Sequence, residues 1–217
     1  MMDEPTEKNI NAQLAALGSF VESFELMVDE VRYTCIERIC HALGSVVEND
    51  TVVEVPFHHQ VMTAKPLYDI MRAIVAEIVS KPSHFHFQNR EQIKSLLGFI
   101  ENEYNNLYYK RNELLHGTWY IGYANQSNPL SQEFLVRKLK TTSEGLRSAK
   151  ELPKNAEELS KLAQRCRTVA EWIGNVDYCI RDSIAVSEHF KCEVMKKRAI
   201  WYFRRFPSHD GGWTTLP

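Results

Sequence analysis

The sequence predicts an all-α fold, a bundle of about four long helices with one small β-hairpin inserted before the last of them. Apolar residues recur at three- and four-residue steps over most of the chain, which is the pattern of helices with one buried face. This period changes after Gly117, where an aromatic and β-branched stretch is typical of strands. There is no internal repeat and no long linker, so we expect one domain over residues 1–217, with its core over about 9–195 and a basic and aromatic tail over 196–217.

The composition is that of an ordinary globular protein, with 44% hydrophobic and 25% charged residues. The formal net charge of −2 excludes a global attraction to nucleic acid, so any such binding must use a local patch. No apolar run reaches the roughly 18 residues of a membrane span, and the acidic N-terminus lacks the basic and apolar regions of a signal peptide. Five cysteines without a Cys-x-x-Cys pair favour reduced, buried thiols. We therefore expect a cytoplasmic protein that does not associate with membranes.

The first two helices are predicted over residues 9–47 and from Pro66 to Ser80. Pro66 suits a first helical turn because the φ angle of proline is already close to the helical value. Between the two helices, Thr51–Pro56 is a candidate for a short extended segment, since its valines favour strands.

Two pairs of histidines lie on either side of the second helix, His58 with His59 and His84 with His86. The adjacent pair points in different directions, and the alternating pair has no carboxylate or cysteine nearby at ligand spacing. We interpret both pairs as loop residues, and we expect neither a metal nor a cofactor.

The third helix is predicted from near Gln88 to Gly117 and carries the most informative stretch of the chain. Its apolar face consists of residues at helical spacing, namely Leu97, Ile100, Tyr104, Leu107, Tyr108, Leu114 and Leu115. Arg111 falls in the middle of this face, and because a guanidinium stays charged it must pair with an anion or lie at a crevice. His116 follows about 140° further round the helix, and a distorted last turn before Gly117 would bring its imidazole toward Arg111.

The hairpin is predicted to pair Thr118–Ala124 with Phe134–Thr142, with turn-forming residues over Asn125–Pro129. Ser143–Asn155 contains glycine and proline and is predicted to be a linker or a short helix. The last helix is predicted over Ala156–Lys191 or beyond, because apolar residues continue at helical spacing.

Basic residues interleave with aromatic residues after this helix: Lys196, Lys197, Arg198, Trp201, Tyr202, Phe203, Arg204 and Arg205. Such a mixture can bind phosphates while its rings stack on bases. Because the net charge is close to neutral, we favour a basic helix end that complements the helix dipole, followed by an aromatic tail that packs on the bundle.

The stretch Arg111-Asn112-Glu-Leu-Leu-His116 resembles the signature of the HEPN family. HEPN ribonucleases carry an arginine, a polar residue directly after it and a histidine four to six residues beyond the arginine, and here the motif also closes a long helix. Four long helices with a hairpin before the last also resemble the HEPN bundle, which would cover roughly residues 9–195.

A second arginine and histidine, Arg204 and His209, have the same spacing as the motif. The residue after this arginine is Arg205 rather than a neutral polar residue, and Pro207 prevents the segment from closing a regular helix. We interpret this second pair as a coincidence.

The resemblance implies an endoribonuclease that needs no metal, in which the ribose 2′-hydroxyl attacks the adjacent phosphate. His116 would transfer protons, Arg111 would stabilise the charge on the phosphoryl oxygens, and Asn112 would orient His116 or the phosphate. It also implies a two-fold homodimer that brings two motifs into one cleft, an RNA substrate, and, for toxin-like members, a nucleotidyltransferase-type antitoxin as partner.

Two other interpretations stay open. Arg111 can simply pair with a carboxylate such as Glu101, Glu103 or Glu113, and His116 can be a helix-terminal residue that the dipole favours. The chain can also be a catalytically silent HEPN module that binds nucleotides, RNA or another protein.

Overall fold

The computed structural model describes residues 4–43, 63–79, 87–120, 135–137, 139–142, 145–148, 155–195, 198–204 and 213–215. Its helices are α1 (Glu4–Leu43), α2 (Ala64–Ile78), α3 (Phe87–Leu115), α4 (Ala156–Arg181) and the short α5 (Val186–His189). Its strands are β1 (Thr118–Tyr120), β2 (Leu135–Arg137), β3 (Leu139–Thr142), β4 (Gly145–Ser148), β5 (Phe190–Met195), β6 (Arg198–Phe203) and β7 (Thr214–Thr215). The predicted extended segment Thr51–Pro56, the four loop histidines and the turn Asn125–Pro129 lie outside the described residues.

The predicted fold class is confirmed, because the described residues are mostly helical and carry an antiparallel hairpin between the third and fourth long helices. In this hairpin β1 pairs with β2, with Thr118 opposite Arg137 and Tyr120 opposite Leu135. The later part of the predicted second strand pairs elsewhere, since β3 forms its own antiparallel pair with β4. The prediction of a linker or short helix over Ser143–Asn155 is therefore wrong for the residues of β4.

The last long helix ends at Arg181, so the prediction that it continues to Lys191 is wrong. Ser183 has a φ angle of 54°, in the left-handed region. The N–H of Ile184 donates to the carbonyl of Cys179 at 3.0 Å, which is the long-range bond of a Schellman helix end. A glycine usually occupies the position of Ser183, so the sequence carries no signal for this end.

The chain beyond the last long helix forms a three-stranded antiparallel sheet of order β5-β6-β7. Phe190 lies opposite Phe203 in β5 and β6, with ring centroids 5.5 Å apart. Both rings pack on Trp172 of α4, at centroid distances of 5.5 and 5.9 Å. The predicted basic helix end is therefore wrong, because burial of these aromatic rings favours strands over a continued helix.

The chain divides into two compact units, each formed from two separate segments. Unit 1 comprises Met1–Glu25 and Asn106–Arg167, and unit 2 comprises Leu26–Asn105 and Thr168–Pro217. The expectation of one domain over residues 1–217 stays a prediction.

Unit 2 is held together by aromatic and polar contacts between its helices. Tyr68 of α2 donates its hydroxyl to the carbonyl of Leu97 in α3 at 2.9 Å, and Tyr104 of α3 donates to the carbonyl of Ala64 at 2.7 Å. The two tyrosine rings are buried, with centroids 4.6 Å apart. These bonds satisfy hydroxyl groups that would otherwise be costly to bury.

None of the described helices combines the length and the apolar character that crossing a bilayer requires. Within the described ranges, no three or more His, Cys, Asp or Glu residues are grouped as metal ligands would be.

Candidate functional site

The site is built around the last turns of α3, where Arg111 interrupts a buried face in unit 1. The flanking leucines Leu107 and Leu114 are fully buried, at helical spacing from Arg111. The side chain of Arg111 is 28% exposed to solvent, so its guanidinium lies at the edge of the core rather than inside it. Leu115, which the sequence places on the buried face, is instead exposed.

Arg111 contacts two consecutive residues of α1. Its Nη2 donates to Oε1 of Glu25 at 3.0 Å, and its Cζ lies 5.5 Å from the centroid of the Phe24 ring. Phe24 is buried, whereas the Glu25 side chain is about half exposed. The sequence left open whether Arg111 pairs with an anion or lies at a crevice, and the structure shows an ion pair with Glu25 together with a cation–π contact to Phe24.

The partner of Arg111 is not one of the carboxylates that the sequence suggested. Glu101 forms an ion pair with Arg72 of α2 within unit 2. Glu25 lies 86 positions before Arg111, and nothing in the sequence distinguishes it from the other acidic residues of α1. Phe24 is one of the apolar residues at helical spacing in the predicted first helix, so the sequence indicates its burial but not its contact with Arg111.

The side chain of Asn112 contacts that of its neighbour Arg111. Nη1 of Arg111 donates to Oδ1 of Asn112 at 3.4 Å, a long hydrogen bond between neighbouring residues. The guanidinium thus has polar contacts with Asn112 on α3 and with Glu25 on α1.

His116 lies in the turn that directly follows α3, and it is exposed. Its backbone N–H donates to the carbonyl of Asn112 at 3.2 Å, and that of Gly117 donates to Leu114 at 3.4 Å. The second bond spans three residues, so the last turn is tightened as the glycine suggested. Among the residues that the structure describes, no hydrogen bond joins the His116 imidazole to Arg111.

The donors of Arg111 are only partly used. A guanidinium has five N–H donors, and the bonds to Glu25 and Asn112 involve one hydrogen on each terminal nitrogen. Nε is buried and has no hydrogen-bond partner among the described residues. Chemically, the group can therefore accept an anion at its terminal nitrogens in addition to Glu25 or in place of it.

A second charged cluster, which the sequence did not reveal, lies in unit 2. Nε of Arg38 in α1 is 2.7 Å from Oδ1 of Asp177 in α4, and both side chains are buried. Burial raises the pKa of Asp177 and that of the nearby Glu30, whose pKa the charge of Asp177 raises further. With its two main members enclosed, this cluster is a structural ion pair rather than an open site.

The prediction of buried thiols is confirmed for three cysteines among the described residues and is wrong for Cys192. Cys35, Cys166 and Cys179 are buried free thiols, and Cys192 is an exposed one. Burial raises the pKa of Cys35 and that of Cys179 to about 12, so neither supplies a thiolate nucleophile at neutral pH.

Comparison of this chain with protein family models, with curated proteins and with solved structures found no match.

Proposed function

We propose that this protein is an endoribonuclease of the HEPN type that cuts RNA by attack of the ribose 2′-hydroxyl, without a metal. One observation carries the proposal: a partly exposed Arg111 bonded to Asn112 at the end of α3, with an exposed His116 in the following turn. The group proposed to stabilise charge, Arg111, and the group proposed to transfer protons, His116, thus belong to one short, accessible stretch of the chain.

The reaction needs one proton removed and one delivered. The 2′-oxygen attacks phosphorus as its proton passes to a neutral imidazole, and the 5′-oxygen leaves with a proton from an imidazolium. The products are a 2′,3′-cyclic phosphate and a 5′-hydroxyl. Arg111 bonds the phosphoryl oxygens, whose negative charge grows in the transition state, and Asn112 orients His116 or the phosphate.

A homodimer supplies the second histidine. We propose that two copies of α3 meet across the surface next to Arg111, so that one cleft contains two copies of each motif. The exposed Leu115, four residues after Arg111 and on the same helix face, supports this arrangement because its apolar side chain is left uncovered in the single chain. A nucleotidyltransferase-type antitoxin stays part of the proposal only through the resemblance of the motif.

A catalytically silent binding module is the second candidate. The ion pair between Arg111 and Glu25 favours it, because a guanidinium held by a carboxylate also fits a purely structural role. In that case Arg111 and His116 bind a ligand at the dimer cleft, and no RNA is cut.

The experiment is incubation of the protein with total RNA in EDTA, with analysis of the cut ends. Wild type is expected to produce 2′,3′-cyclic phosphate ends, and His116→Ala and Arg111→Ala are expected to lose about 10²- to 10⁴-fold in rate while keeping their helical circular dichroism. The control pair Arg204→Ala and His209→Ala has the same spacing and should cut normally. Loss of cutting in the control pair but not in His116→Ala would show that the wrong pair was chosen, and no cutting by any form would favour the binding module.

A further inference from the structure

We propose that Glu25 is a built-in competitor of RNA, a carboxylate that occupies the phosphate-binding position of Arg111 in the free protein. This inference rests on the proposed function, in which Arg111 binds a phosphate. It adds a residue of α1 that lies outside the motif and that sets how readily RNA enters the site.

The geometry of the pair supports competition. Oε1 of Glu25 is 3.0 Å from Nη2 of Arg111, the distance and the atom that a phosphoryl oxygen would use. Carboxylates and phosphates fit the same guanidinium edge, so the two anions compete for the hydrogens of Nη2. The Glu25 side chain is 51% exposed and can leave toward solvent without opening the core.

Phe24 keeps the arginine in place when the carboxylate leaves. Its ring is buried and lies 5.5 Å from Cζ of Arg111, so the cation–π contact does not depend on Glu25. The bond to Asn112 is likewise independent of Glu25. Exchange of one anion for another therefore requires no movement of Arg111 itself.

The strengths of the two interactions also favour displacement of Glu25 by a phosphate. An exposed ion pair is weak and is screened by salt, so it is readily displaced. A phosphate can bind the guanidinium through two of its oxygens, whereas Glu25 accepts one hydrogen bond, from Nη2 of Arg111 to its Oε1. The negative charge of Glu25 also repels an approaching RNA strand, which makes its removal favourable for binding.

The test compares Glu25→Gln with Glu22→Gln, which removes the same charge three residues earlier on the exposed surface of α1. The probe is a single-stranded 2′-O-methyl RNA oligonucleotide, which cannot be cut by 2′-hydroxyl attack, and its affinity is measured by fluorescence anisotropy. We expect Glu25→Gln to bind about two- to tenfold more tightly than Glu22→Gln, because both variants lose one negative charge and only Glu25→Gln removes the competitor from Arg111. Glu25→Ala should show the same gain.

Arg111→Ala shows whether the tighter binding of the oligonucleotide by Glu25→Gln depends on Arg111. Added to Glu25→Gln and to Glu22→Gln, it should abolish the difference between them, and a difference that persists would overturn the proposal. Equal binding by the two glutamine variants would also overturn it. Weaker binding by Glu25→Gln would overturn it as well, since Glu25 would then be needed to position Arg111.

Cleavage of ordinary RNA by the same variants separates this inference from the proposed function. If Glu25→Gln binds the probe more tightly but no form cuts RNA, the competitor stands and the ribonuclease proposal falls. If wild type cuts RNA and Glu25→Gln has the same KM as Glu22→Gln, the ribonuclease proposal stands and the competitor falls.

Discussion

Burial disfavours the charged forms of Glu30 and Asp177 in unit 2. Burial raises the pKa of each carboxyl, and the ion pair with Arg38 only partly offsets this for Asp177. The absence of a side chain at Gly174 makes room for Glu30, since a Cβ atom at position 174 would lie 2.6 Å from Oε1 of Glu30. At pH values between the ordinary carboxyl pKa and the raised pKa of these groups, the folded protein binds more protons than the unfolded chain.

The free energy of unfolding should therefore fall as the pH rises through this window. The contribution of a carboxyl with a raised pKa is most favourable below its unfolded pKa and is lost as the pH passes the folded pKa. Urea unfolding of wild type from about pH 4 to 7 is expected to show this decline, and Glu30→Gln should flatten it and raise the midpoint at neutral pH. Glu22→Gln, on the exposed face of the same helix, should leave the slope unchanged, and an equal effect of both variants would contradict the account.

Helix ends show which parts of each element the sequence can predict. The start of α4 was predicted at Ala156, and the structure explains it, because Oδ1 of Asn155 accepts a hydrogen bond from the N–H of Glu158 at 2.9 Å. The end of α4 was missed because Ser183 adopts the left-handed conformation without being glycine. Local capping chemistry is readable from sequence, whereas a left-handed helix end at a residue other than glycine is not.

Ser183→Gly should stabilise the protein by about 0.5–1 kcal/mol, because glycine adopts the left-handed region without the steric cost that serine meets. Ser183 is exposed, so little packing is lost. Ser187→Gly is the control, since Ser187 is also exposed but lies within helix α5, where glycine is unfavourable. Thermal unfolding should show a rise for the first variant only, and a fall for Ser183→Gly would mean that the serine side chain stabilises this helix end.

At the scale of the whole molecule, local periodicity predicted the four long helices and the first hairpin. The C-terminal sheet was missed because its stability comes from the packing of Phe190 and Phe203 on Trp172, residues that the sequence places in different elements. The anion partner of Arg111 was missed for the same reason, since Glu25 is remote in sequence. The motif residues were identified from their spacing and helix position, and their catalytic roles stay a prediction.

The proposed homodimer leads to a prediction about Leu115. Because this side chain is exposed on the face that carries Arg111, Leu115→Glu should fold normally but shift a dimer to monomer in light scattering and reduce RNA cleavage in parallel. Tyr109→Glu is the control, as Tyr109 is more exposed and lies about 200° from Arg111 round the helix. A monomeric wild type at micromolar concentration would contradict the composite site.

The most direct test of the proposed chemistry uses an oligonucleotide with one ribose in an otherwise 2′-deoxy strand. Only the single ribose provides a 2′-hydroxyl, so the account predicts one cut, directly 3′ of that ribose, leaving a 2′,3′-cyclic phosphate in the presence of EDTA. The same cut should be absent with His116→Ala and with Arg111→Ala. A cut at deoxy positions, or full activity of His116→Ala, would contradict the assignment of Arg111 and His116 to RNA cleavage by 2′-hydroxyl attack.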